Sequence, residues 1–175
     1  MTSLQPSFGW AGPAPIDILV TNRSTAAVAV GDVLMLDNRR ADAASTSNTA
    51  GSSAAGIANV IAQIAFAFDS QSAGVYCVMQ QASADDGPPV RARLSGHCDL
   101  VACNAAVVLV NARGIPLSGG ASNQLRIVSA ATETTGGAAA FAQKVIFLPL
   151  VAIGAAGTTS GWFNGITGFG TVLVT

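Results

Sequence analysis

Short apolar or alternating runs, each closed by Gly, Pro, Asn or Asp, set the rhythm of this chain from about Asn22 onward. Val28-Ala-Val-Gly-Asp-Val-Leu-Met-Leu-Asp is β-rich and closes on the turn pair Asp37-Asn38. Residues 57–64, 75–80, 107–110, 125–128, 145–150 and 162–166 continue as strand candidates. Val90-Arg-Ala-Arg-Leu alternates apolar and polar side chains, the period of a half-exposed strand. The segment 54–68 carries helix-forming alanines, but the β-branched Ile57, Val60, Ile61 and Ile64 favour an extended backbone, and it is read as strand. Residues 45–53 and 69–74 read as loops, Asp85-Asp86-Gly-Pro-Pro as a turn and Asn164-Gly165 as a hairpin turn. The pattern predicts an all-β chain forming a single compact β-barrel or sandwich.

The first stretch does not share this rhythm. Pro6, Pro13 and Pro15 fix φ and remove backbone donors, and Gly9 and Gly12 interrupt any regular element. Residues 1–20 are therefore read as an extended N-terminal arm, and 21–175 as the β domain. Phe8 and Trp10 lie in the arm, where large aromatic rings need somewhere to be buried.

The chain also echoes itself. Residues 28–40 resemble residues 101–113, and residues 75–96 share a rhythm with residues 145–165: an apolar strand, an Ala-rich turn, then a strand closing on Gly. The order and spacing of the two pairs agree. Two readings stand: two similar halves related by internal pseudo-twofold symmetry, or a chance alignment of Ala/Val/Gly-rich sequence.

Composition narrows the function. Only 10% of residues are charged, against about 25% in an ordinary domain. Lys144, Glu133 and His97 are each the sole residue of their type. Little is left for acid–base or metal chemistry, and a surface so poor in charge is weakly insulated from its neighbours. A component of an assembly, self-associating and not an enzyme, is the expectation. A net charge of -1 with Arg39–Arg40 as the densest basic pair predicts no nucleic-acid binding. Met1-Thr-Ser-Leu-Gln-Pro lacks a basic, then apolar, leader pattern, and Gln143, Lys144 and Pro149 break the most apolar long stretch. Neither a signal peptide nor a membrane span is expected. Cys77, Cys98 and Cys103 form no regular framework and read as free, buried thiols.

Candidate chemistry is sparse. His97 follows Ser95-Gly96 and reads as a turn residue, and no G-x-S-x-G elbow offers it a nucleophile. Asp85-Asp86 are adjacent turn formers rather than a facing carboxylate pair. Gly114, Gly119 and Gly120 lack the Lys-Ser or Lys-Thr of a phosphate loop and read as turn glycines. No catalytic, metal-binding or cofactor-binding residue is assigned. Trp162, Phe163 and Phe169 concentrate aromatic area near the C-terminus, as packing surface or as a platform on which a sugar stacks.

Five motifs then stand together: Gly31-Asp-Val-Leu, Pro89-Val-Arg-Ala-Arg-Leu-Ser-Gly, Gly114-Ile-Pro-Leu, Lys144-Val-Ile-Phe-Leu-Pro-Leu and Trp162-Phe-Asn-Gly-Ile. Their succession resembles the small β-barrel decoration (cement) proteins of tailed-bacteriophage capsids, over about residues 24–169; the Pro/aromatic arm has no counterpart there. The resemblance implies a non-enzymatic virion protein, made in the host cytoplasm and bound as a homotrimer on the outer face of the major capsid protein shell. Phe8, Trp10, Trp162 and Phe163 are the expected interface residues. The alternative is a virion-surface glycan-binding or fibre-base module, for which an open Trp162 face would be diagnostic.

Overall fold

The computed structural model describes residues 14–22, 24, 26–36, 60–64, 74–116, 123–129, 132–133 and 141–174. Phe8, Trp10, Arg39, Arg40, Gly119, Gly120 and the 45–53 loop lie outside the described residues. The described chain is all-β, with twelve strands: β1 Ile16–Asn22, β2 Val33–Leu36, β3 Val60–Ile64, β4 Val75–Met79, β5 Val90–Cys103, β6 Arg113–Ile115, β7 Arg126–Val128, β8 Thr132–Glu133, β9 Phe141–Lys144, β10 Phe147–Pro149, β11 Gly157–Asn164 and β12 Thr171–Val174. Nine of them form one curled sheet in the order β1-β3-β2-β4-β5-β11-β10-β6-β7, and β8-β12-β9 form a second, small sheet.

The large sheet consists of two halves with the same pairing. In the first half, β1 runs parallel to β3 and antiparallel to β5, β2 is antiparallel to β3 and β4, and β4 is antiparallel to β5. Those pairings close the five strands into a ring. In the second half the C-terminal part of β5 replaces β1. It runs antiparallel to β11 and meets Leu125, at the start of β7, through a parallel bridge at Cys103. β6 is antiparallel to β7 and β10, and β10 is antiparallel to β11. Even the isolated antiparallel bridges correspond: Val28 to Ser83 in one half, Val107 to Ile153 in the other. The fourteen-residue β5 thus serves both halves, closing the first with its N-terminal part and opening the second with its C-terminal part.

This registry confirms one sequence echo and shifts the other. Val75 and Gly96 do correspond to Val145 and Gly165. Val28 corresponds to Val107 rather than Val101, because Cys103 already occupies the place of Asn22. The turns that follow correspond too. Gly31 (φ +94°) and Asn111 (φ +59°) each supply a left-handed residue, which glycine takes freely and Asn tolerates.

Strand alternation divides the core into layers. Leu34, Cys77, Met79 and Ala92 point inward in the first half, with Val20 and Val28. Their neighbours Val33, Met35, Tyr76 and Val78 point outward and join the core of the second half, built on Phe147, Phe163, Leu125 and Val101. The outward Ile115 and Leu148 of the second half are covered in turn by Val172, Val174 and Phe169 of the C-terminal segment. The small sheet therefore caps the second half much as the second half covers the first.

Several local readings change. β1 starts at Ile16, inside the stretch assigned to the arm: Ile16, Ile18 and Val20 alternate, and Pro15 precedes the strand, a position that needs no ladder donor. β5 does not stop at Gly96; Ser95-Gly96-His97 continue as strand, so His97 is a strand residue and not a turn residue. Gly96, at φ +112°, is needed because a Cβ there would lie 2.7 Å from Pro15 Cα. Gly114 is likewise in a strand, facing Phe147. Of 107–110 only Val107 pairs. Asn164-Gly165 ends β11 without forming a hairpin. The Asn164 amide donates to Thr167 Oγ1 and to the Gly168 carbonyl, folding the chain away toward β12.

Candidate functional site

Among the described residues, the three thiols and Lys144 are held inside the fold. The thiols of Cys77, Cys98 and Cys103 are buried, and desolvation pushes each up to about 12. Lys144 is buried at the end of β9. Its Nζ donates to the carbonyls of Gly74 (2.7 Å) and Ile166 (2.9 Å) and lies 5.7 Å from the Tyr76 ring centroid. Desolvation holds the Lys144 pKa below its ordinary value. The ammonium ties the small sheet to the start of β4 and to the turn after β11. Among the described residues, no group of three or more His, Cys, Asp or Glu is placed to hold a metal ion.

The charged and aromatic side chains that do gather lie in a row across β5. Asp17 on β1 faces Arg93 on β5, and Arg93 Nε and Nη2 donate to the two carboxylate oxygens at 2.8 and 3.1 Å. That pairing holds the Asp17 carboxyl below the usual carboxylate range. Arg93 Nη1 also donates to the His97 carbonyl. His97 in turn is the cross-strand partner of Trp162, with ring centroids 5.5 Å apart at 80°. Its Nδ1 is 3.4 Å from Asp99 Oδ1, a carboxylate open to solvent. Ser95, the nearest serine in sequence, donates its hydroxyl to the Ala14 carbonyl at 2.6 Å. The row is a chain of cross-strand pairs that welds the halves at β5.

A second surface stands out because the duplication supplies its own control. The antiparallel bridge between Val107 and Ile153 directs residues 108–110 toward 150–152. Val108, Leu109, Val110, Leu150 and Val151 are 65%, 46%, 74%, 49% and 51% exposed. No charged residue occurs between Asn104 and Ala112 or between Pro149 and Gly161. The equivalent tip of the first half, around the Val28–Ser83 bridge, carries Gln80, Gln81, Asp85 and Asp86, with Val30 as the large exposed apolar side chain of its own two segments and Leu100 of β5 beside Gly31. The fold is built twice, and one copy does without the cluster of five large apolar residues there. Folding therefore does not require them in the other, and contiguous exposed apolar surface of this kind marks contact sites.

The expected interface residues separate. Phe163 is completely buried and packs in the second half's core, so it offers no surface to another molecule. Trp162, one residue earlier on the strand, points to the opposite face and is half-buried, with His97 against it. Phe8 and Trp10 lie outside the described residues. Sequence reasoning missed the tip because Val-Val-Leu-Val looks like strand; aligning it with Val-Ala-Val-Gly, its true counterpart, would have exposed three large apolar residues at turn positions.

No family model, curated protein or solved structure matches this chain.

Proposed function

We propose that this protein is a structural virion component that decorates a tailed-phage capsid and stabilises it by clamping neighbouring capsid subunits. The observation that carries this reading is the charge-free apolar tip present on only one of two equivalent halves, which suits a component of an assembly whether the tip meets the shell or another copy. A surface the first half does without suits a protein that works by contact. Many weak copies on a lattice then add up, because each further contact is made at high effective concentration. The segment before β1 fits the same role. Its last two residues, Ala14 and Pro15, are pinned by Ser95 and Gly96, and Phe8 and Trp10 precede them in the sequence. The half-buried Trp162, in a T-shaped contact with His97, is a poorer fit to the glycan-platform alternative, which needs a freely exposed indole.

The test is a pull-down of purified protein with empty particles, run beside a thermal melt. Removing residues 1–13 leaves β1 and its anchor in place, so the melt should hold while particle binding weakens. Phe8→Ala with Trp10→Ala should reproduce most of that loss. Full-length protein that does not bind particles at all would overturn the reading.

A further inference from the structure

We infer that the apolar tip formed by Val108, Leu109, Val110, Leu150 and Val151 is where copies of this chain meet one another, leaving the opposite end of β5 free for the shell. The inference deepens the capsid-decoration reading and rests on it for the shell, but the contact itself is a property of the isolated protein.

Three observations select a second copy as the occupant. The first is electrical. Neither tip segment carries a charge, so a partner must offer a neutral apolar surface, and any charged group it brought would be buried without a counter-charge. A symmetric contact meets this condition by construction, since each tip faces another tip. The second is internal comparison. The first half's tip has the same backbone bridge but presents Gln81, Asp85 and Asp86, so it is unfit for such a contact. One adhesive tip per chain gives a closed symmetric oligomer; two would give open chains of copies. The third is position. The tip lies beyond the Cys103–Gly157 end of the β5–β11 pair, whereas the N-terminal segment leaves from the Ser95–Asn164 end. About 25 Å of strand separates the two ends. Joining tips gathers the copies at a common axis and leaves the Ser95–Asn164 ends, with Ala14 and Pro15, away from it.

Backbone pairing holds the base of the tip, and the exposed apolar side chains are what it offers a partner. Val107 and Ile153 exchange both backbone hydrogen bonds (2.8 and 3.2 Å), and the Thr159 hydroxyl donates to the Val151 carbonyl at 2.6 Å. Substitutions at the exposed positions should therefore change association without unfolding the domain.

The experiment is sedimentation equilibrium of the purified full chain with no particles present. The wild type should be oligomeric at tens of micromolar, in the range of ordinary protein association. Val110→Glu, and separately Val151→Glu, should weaken association at least tenfold while leaving the melting temperature within a few degrees. Val30→Glu, at the equivalent tip, should leave association unchanged. A monomeric wild type, or an oligomer that survives both substitutions, overturns the inference. So does an oligomer that falls apart on removal of residues 1–13 but resists Val110→Glu, because the N-terminal segment would then be the contact. Particle binding measured on the same variants keeps the two proposals separate: loss of oligomers with retained binding, or the reverse, assigns failure to one of them.

Discussion

The two halves of this molecule share a pairing diagram and fill it differently. In the first, the inward cross-strand positions are Leu34, Cys77, Ala92 and Leu94; the matching positions in the second are Gly114, Phe147, Gly161 and Phe163. One half spreads its volume over medium side chains. The other concentrates it in two aromatic rings and empties the places opposite. A Cβ on Gly161 would stand 2.6 Å from Phe147 Cε2 and 2.3 Å from the Leu148 carbonyl oxygen; one on Gly114 would stand 2.8 Å from Phe147 Cβ. Interior volume is conserved while the residue at each position is not, as close packing requires. The exchange also shows which residues are interdependent: the rings can be there only because the glycines are.

The sharpest way to break this comparison is to remove a ring and leave its glycines. Phe147→Ala should cost about 3–5 kcal/mol, because Gly114 and Gly161 have no side chains with which to fill the cavity. Urea-denaturation midpoints would show it. A loss under about 1 kcal/mol would mean that the second half's interior is not packed as described.

Exchanging the small residues tests the same idea in both directions. Gly161→Ala puts a methyl group against a backbone carbonyl that cannot step aside, and should cost about 1–3 kcal/mol. The reverse change in the first half, Ala92→Gly, should cost about 1 kcal/mol, the usual entropy penalty of glycine in a strand plus a methyl-sized loss. Equal costs at the two sites would argue that the halves are packed alike after all.

Much of this was visible in the sequence, and the rest was hidden for identifiable reasons. The alternation Val90-Arg-Ala-Arg-Leu, the turn at Asp85-Asp86 and the strand at 75–80 report local backbone preference, which is written locally. The continuation of β5 through Gly96 and the start of β11 at Gly157 are not. Gly96 and Gly161 sit in strands because of what approaches them, Pro15 in one case and Phe147 in the other. Tertiary packing there overrides a residue that on its own signals a turn. The duplication was legible, but its register was not. The true counterpart of Val28 lies six residues beyond the apparent one, at Val107 rather than Val101, and only the pairing of the bridges at Val28 and Val107 fixes it. Grouping Trp162 with Phe163 as interface residues runs against strand geometry, because adjacent strand residues face opposite ways and only one of them could be exposed.

A smaller effect is expected at the cross-strand pair that differs most in chemistry. Arg93 and Asp17 correspond in register to Trp162 and His97: an ion pair in one half, an aromatic pair in the other. Hydrogen bonding to Arg93 lowers the Asp17 pKa from its ordinary value of 3.8. Ionised Asp17 therefore stabilises the fold above that ordinary value, and the contribution is lost as pH falls through the lowered folded value. Asp17→Asn should cost up to about 1 kcal/mol at neutral pH, since the pair remains partly solvated. It should also flatten the acid side of the stability profile. A variant as pH-sensitive as the wild type in that range would place the acid sensitivity in other carboxylates.

The aromatic counterpart should matter least. His97 meets Trp162 through a ring edge, and the neighbouring Asp99 is too exposed for their 3.4 Å approach to add much. His97→Gln keeps a strand-compatible, partly polar side chain and loses only the ring contact, about 0.5–1 kcal/mol. The His97 carbonyl that accepts from Arg93 belongs to the backbone and survives the change, so the weld across β5 should hold. Thermal melts of His97→Gln, Asp17→Asn and the double variant would separate the two pairs. Additive losses are expected, because the pairs meet only through that carbonyl. A loss in the double variant well below the sum would mean that the row across β5 acts as one network, and that the halves are coupled through side chains as well as through the strand they share.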